Sequence, residues 1–182
     1  MRQFHGAYLI AASLLMCSFN LMAGSDAFKP GPVLKDYGKI AEVDSALALP
    51  KFMQMKVVFD MSKAAKGGQV NRSLDTLARF INMHVAAGVK LDNINLMMVV
   101  HGKAVNDFTV EKHYRARNTQ QNANTELIRQ LSGLGVKFYI CGQSAAYYDV
   151  SPAELLPGVD MALSAMTAHA IAAQKGYSLN PF

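Results

Sequence analysis

The apolar positions of the chain fall into two alternating periods. Residues 55–60, Met-Lys-Val-Val-Phe-Asp, form a short run rich in β-branched and aromatic side chains, the pattern of a buried strand. Gly67-Gly68 interrupts the chain. Leu74, Leu77, Ala78, Ile81 and Val85 then recur at helical spacing, which predicts an amphipathic helix capped by Asn71 or Ser73 and stopped at Gly88. The alternation repeats downstream. Residues 94–100 read as a second strand running into His101-Gly102, followed by a polar stretch rich in Asn, Arg and Gln. A helix is predicted over about 122–134, with Leu127, Ile128, Leu131 and Leu134 on its buried side and Gly135 at its end. Residues 136–141 make a third strand. A short helix over 145–148, a turn at 153–156 opened by Pro152, a fourth strand near 160–164 and a terminal helix over 167–175, closed by Gly176, complete the pattern.

Strands that alternate with helices and are apolar on both faces predict an α/β fold, a mostly parallel sheet between helix layers. In such open sheets, ligands and catalytic groups gather beyond the carboxyl ends of the strands. Asp60-Met61-Ser62, His101-Gly102 and Cys141-Gly142 all fall at such ends, so they are expected to line one cleft.

Upstream of this core the pattern changes. Arg2 precedes an apolar stretch over 7–19 and a Leu21-Met22-Ala23 ending, which together read as a signal peptide, residues 1–23, cut after Ala23. It is too short for a comfortable membrane span, so the expectation is export to the periplasm with no membrane anchor afterwards. A lipid-attached Cys17 is the rival reading, but Met16 is bulky where such signals want a small residue. Residues 24–54, with Pro30, Gly31, Pro32 and Gly38, read as an N-terminal arm, and 55–182 as one domain. About 160 residues then remain, enough for a single substantial core.

The net charge of +5 is scattered, without the basic stripe of a nucleic-acid binder. His84, His113 and His169 have no partner at metal-ligand spacing, and no H-x-x-x-H or cysteine pair occurs. Neither G-x-x-x-x-G-K-[ST] nor G-x-G-x-x-G is present, so no nucleotide site is supported and no cofactor is called for. Ser144 and Ser164 lie outside any G-x-S-x-G, which disfavours a serine hydrolase. The 11 methionines fall mostly on predicted strands and helix faces, as core filler.

Removal of the leader would leave Cys141 as the one cysteine, so the fold would have no internal disulfide. Two readings of this thiol stay open. A strand-end cysteine preceding a helix start can face free backbone N–H groups and the positive end of a helix dipole, both of which favour a reactive thiolate. A buried, inert cysteine is the other reading. Cys141-Gly142-Gln143-Ser144 has the spacing of Cys-x-x-Cys with serine in the resolving place. That argues against a dithiol oxidoreductase acting alone and leaves open a carrier of a persulfide or of a mixed disulfide with a partner. His101 can act as a base or cationic neighbour of the thiol, or as a strand-end histidine tied to backbone. Arg79 and Asn82, on the first helix, read from residue type as solvated or capping side chains.

Val57-Val58-Phe59-Asp60, Val99-Val100-His101-Gly102, Asn124-Thr125-Glu126-Leu127-Ile128, Gly135-Val136 through Cys141-Gly142-Gln143-Ser144, and Leu163-Ser164-Ala165-Met166 with Gly176-Tyr177, in this order, resemble the DsrE/DsrF-like sulfur-relay family. The resemblance implies a three-layer α/β/α sandwich with a five-stranded, largely parallel sheet, assembled as a homo-oligomer, trimer or hexamer. It implies a sulfur carrier or sulfurtransferase that holds sulfur as a persulfide on Cys141 and passes it from a donor to a partner protein thiol. His101 would neighbour that cysteine, and Asn82, Gly102, Gly142, Gln143 and Ser164 would shape the site. An exported chain with an extra arm departs from the cytoplasmic members, so a DsrE-like module that binds a small molecule or protein without transfer is the alternative.

Overall fold

The computed structural model of the chain describes residues 24–50 and 52–181; the expected leader and Cys17 lie outside the described residues. The domain runs β1 (Met55–Met61), α1 (Arg72–Ala86), β2 (Ile94–Val100), a 3-10 segment (Gly102–Phe108), α2 (Glu111–Arg115), α3 (Thr125–Gly133), β3 (Lys137–Cys141), α4 (Gly142–Tyr147), β4 (Val159–Ala162), α5 (Ala165–Gln174) and β5 (Ser178–Asn180). Every strand pairs in parallel, in the order β4-β3-β2-β1-β5. The five-stranded parallel sheet between helices is the architecture expected from the sequence.

The order dictates the layers. From β1 to β4 each connection steps the same way across the sheet, and right-handed crossovers then place all the intervening helices on one face. The step from β4 back to β5 runs the other way across the whole sheet, so its helix must lie on the opposite face. The packing follows this rule. Phe59, Met61, Leu96, Met98, Val100, Phe138 and Ile140 point into a large core with Leu74, Leu77, Ile81, Leu127, Leu131 and Ala145. Alternate residues Val58, Met97 and Val99 meet only Ala168 and Ala172 of α5, with Tyr139, Ala162, Ala165 and Tyr177 at the margins. The three layers are therefore unequal, one face thickly covered and the other by a single alanine-rich helix.

Several boundaries differ from the sequence pattern for identifiable reasons. The helix expected from about residue 122 begins at Thr125, because Asn122 and Asn124 are tied into a buried network. Asn124 Oδ1 accepts from Asn71 N–H at 2.7 Å, and Asn122 Nδ2 donates to Asp107 O and Thr109 O at 3.0 and 3.1 Å. Asp107 receives Ala65 N–H and Asn71 Nδ2 at 2.8 and 2.7 Å, while burial, outweighing these bonds, pushes its carboxyl up. The fourth strand stops at Ala162, two residues early, because Ser164 is the N-cap of α5: its Oγ accepts from Thr167 N–H at 3.0 Å. The short fourth helix starts at Gly142, three residues earlier than expected, directly off the end of β3.

The arm packs on the body around residues 28–40, while residues 42–50 are exposed. Leu34 is buried, and Lys29 and Ile40 pair as an antiparallel bridge. No helix among the described residues is long and apolar enough to cross a membrane.

Candidate functional site

The switch in crossover direction falls between β3 and β4, whose chains leave toward opposite faces of the sheet. A crevice opens at such a point beyond the carboxyl ends of the strands. Cys141 sits there as the last residue of β3 and the N-cap of α4, free and 6 % exposed. Gly142 follows because nothing larger fits: a Cβ there would stand 2.8 Å from Ala162 O and 3.2 Å from Leu163 O. The close approach brings the start of α5 against the start of α4.

The Cys141 side chain makes no capping hydrogen bond to the first turn of α4. Its surroundings nevertheless suit the anion. Burial pushes the thiol up. That effect is outweighed by the backbone N–H and hydroxyl of Ser144 and the N–H groups of Ala165 and Gln143, so the thiol lies below its ordinary value. Ser144 is itself held, since its Oγ accepts from Gly102 N–H at 3.0 Å, which leaves the hydroxyl proton for the sulfur. Gly102 is at φ +55, the left-handed region that glycine adopts without strain, and this turn aims its N–H.

Along the strand ends a row of side chains shares the α5 face. Val100 pairs with Ile140, so His101, one step on in extended backbone, stands beside Cys141. Its ring is bonded elsewhere: Nε2 meets Asp60 Oδ2 at 3.0 Å. The other carboxylate oxygen, Oδ1, meets His169 Nε2 of α5 at 2.8 Å. Burial pushes Asp60 up, but the hydrogen bonds and charge of the two histidines hold it net below the usual carboxylate value. Among the described residues no group of three such side chains is arranged to hold a metal.

The residues singled out in the sequence separate on this map. Cys141, His101, Gly102, Gly142 and Gln143 come together at the crevice. The Gln143 side chain lies across its rim, donating to Leu163 O at 3.3 Å. Ser164 is buried as the cap of α5, close to the site through that helix. Asn82 is elsewhere, because the arm consumes it. Its Oδ1 accepts from Val33 and Leu34 N–H at 3.1 and 3.0 Å, and its Nδ2 donates to Leu34 O, Tyr37 O and Gly38 O at 2.9, 3.0 and 3.1 Å. It is neither solvated nor at the crevice. Ser144, Ala165 and His169 escaped the sequence reading as members of the site. Ser144 was legible, since three residues past an N-cap is the N3 position that faces the cap.

The site is thus a cysteine at the N-cap of α4, at the switch point of a parallel α/β/α sheet. The chain belongs to the DsrE/DsrF-like family, whose model matches residues 55–181. Its fold is shared with a protein of unknown function, MTH1491, from Methanobacterium thermoautotrophicum: 19% identity, TM-score 0.53, covering 71% of this chain and 100% of that one. The ychN protein from E. coli is more distant, at 15% identity and TM-score 0.48 over 70% of this chain and 100% of that one. No curated protein matches the chain significantly.

Proposed function

We propose that the protein handles reduced sulfur, carrying it as a persulfide on Cys141 between a donor and a partner thiol. The observation that carries this reading is the place of Cys141 as the last residue of β3 and the N-cap of α4, where Ser144 and the nearby backbone N–H groups hold its thiol below the ordinary value. A thiolate is the species that attacks sulfur electrophiles. In the loading step the Cys141 thiolate attacks the outer sulfur of a donor persulfide. A new S–S bond forms at Cys141 as the donor's S–S bond breaks, and the departing donor thiolate keeps the electron pair and takes up a proton. In the unloading step an acceptor thiolate attacks the same outer sulfur and Cys141 leaves as thiolate. The two steps are reciprocal exchanges, so no external oxidant or reductant enters.

The alternative, a module that binds without transfer, is favoured by the shallow exposure of Cys141, 6 %. Family membership supports sulfur handling as the class; persulfide transfer, export through residues 1–23 and homo-oligomeric assembly are part of this proposal. One preparation tests the carrier and export readings. Protein recovered from the periplasmic fraction is expected to begin at Gly24 and to gain dithiothreitol-reducible sulfur mass with polysulfide, while Cys141→Ser gains none. Loading retained in Cys141→Ser would rule out this carrier, and absence of the protein from that fraction would rule out export.

A further inference from the structure

A carboxylate in the apolar strand Met-Lys-Val-Val-Phe-Asp-Met needs an explanation, and Asp60 has an unusual pair of partners. Each of its oxygens takes one imidazole, from His101, which follows β2, and from His169 of α5. His169 Nε2–H donates to the carboxylate, and its Nδ1 is buried with no partner among the described residues, so the ring is fixed from one side only. The bond matters for α5 because the buried apolar hold of that helix on the sheet is made through small side chains. Its buried contacts with the sheet are Ala168 and Ala172, small side chains against Val58, Met97 and Val99. His169 lies one turn from Ala165, the first residue of α5, which follows closely on Ala162, the β4 partner of Cys141, and whose N–H helps hold the thiol low.

We propose that Asp60 and His169 are positioning residues for Cys141: their hydrogen bond pins the first turn of α5 to β1 and so keeps the Ala165 N–H on the sulfur. Asp60 is the fixed post, on a central strand flanked by β2 and β5. His169 is the hook on the helix. His101 braces the second oxygen of the post. Among the described residues no other charged or titratable side chain pairs with the Asp60 carboxylate, so the chain of influence runs through these three groups. This inference rests on Cys141 working as a thiolate, but its test reads the thiolate directly and does not depend on sulfur transfer.

The experiment is the pH profile of iodoacetamide alkylation, followed at the Cys141 peptide by mass spectrometry in the folded full chain. His169→Ala should move the profile toward higher pH and slow alkylation at neutral pH by about tenfold, one unit of thiol pKa. His169→Gln, whose amide nitrogen can occupy the place of Nε2, should restore most of the rate. Asp60→Ala should behave as His169→Ala, and His101→Ala, which removes only the brace on the second oxygen, should move the profile less than His169→Ala does. An unchanged profile in His169→Ala would overturn the proposal. So would a shift in His101→Ala as large as that in His169→Ala, which would assign the effect to imidazole charge beside the sulfur. Should Asp60→Ala not fold, the His169→Ala and His169→Gln pair decides alone. Faster hydrogen exchange of the Ala165 amide in His169→Ala is the independent sign that the first turn has come loose; unchanged exchange counts against it.

Discussion

The sulfur of Cys141 occupies the place that helices usually give to the oxygen of a serine, threonine or aspartate. An N-cap oxygen accepts the N–H groups of the first turn at little cost. A neutral thiol accepts them poorly, so the donors gain most when sulfur is charged, and that difference is the pKa shift. Ser144 contributes twice, through its N–H and its hydroxyl, and its oxygen is anchored by Gly102 N–H. Ser144→Ala keeps the backbone donor and removes the hydroxyl. Because hydrogen bonds to charged groups are stronger than neutral ones, we expect the alkylation profile of Cys141 to move up in pH and the neutral-pH rate to fall by about three- to tenfold. Thermal stability should change little. A profile identical to that of the wild type would mean that the hydroxyl proton points away from the sulfur. At this scale Cys141 was visible in the sequence, as a strand-end cysteine before a glycine. The Asp60 bridge was not, because it joins residues 41 and 109 positions apart whose spacing carries no signal.

The first helix shows how an element can mislead a reading by residue type. Asn82 looked like a solvated side chain or a site residue, yet it follows Leu74 and Ala78 at intervals of four and therefore falls on the buried face. Periodicity held the correct answer. What periodicity could not supply is the partner: a buried asparagine needs acceptors and donors, and here they are the backbone groups of the arm around Val33, Leu34, Tyr37 and Gly38. A stretch with Pro30, Gly31 and Pro32 offers unpaired backbone because it forms no regular element of its own. Asn82→Ala would strip partners from five hydrogen bonds and leave a small cavity. We expect a loss of about 2–4 kcal/mol in urea unfolding, since buried polar groups left unsatisfied carry most of that cost. Proteolysis within the arm should also quicken. A variant with unchanged unfolding and an intact arm would show that the arm is held by its apolar contacts alone. The fifth strand, Ser178–Asn180, was missed as a segment for a related reason. It is an edge strand of three residues with no alternation to detect, and only its pairing with β1 defines it.

The uneven layers set what the whole molecule can do. A helix is about 10–12 Å across with its side chains, and strands lie about 4.7–4.9 Å apart, so α5 alone covers roughly two of the five strands on its face. The uncovered flank toward β4 holds a cavity of about 350 Å³ lined by Met97, Tyr139, Met161, Leu163, Ile171 and Lys175. Leu163 and Met166 beside it are 73 % and 79 % exposed. A helix that is apolar on its outer side as well as its inner one is normally buried on both. Hence the homo-oligomer expected of this chain should form through this flank, close to the Cys141 crevice. Ile171→Asp places a carboxylate on that surface without touching the thiol, the His169 bond or the contacts of Ala168 and Ala172. We expect sedimentation equilibrium to give a multiple of the subunit mass for the wild-type protein at micromolar concentration, and a lower mass for Ile171→Asp. A monomeric wild type would leave α5 as an exposed apolar helix and remove assembly from the proposal. An unchanged oligomer in Ile171→Asp would move the interface to another face. If assembly does run along α5, subunit contact and the Ala165 donor share one helix, so dilution to monomer should also slow Cys141 alkylation. That coupling would tie the oligomer to the chemistry of the thiol.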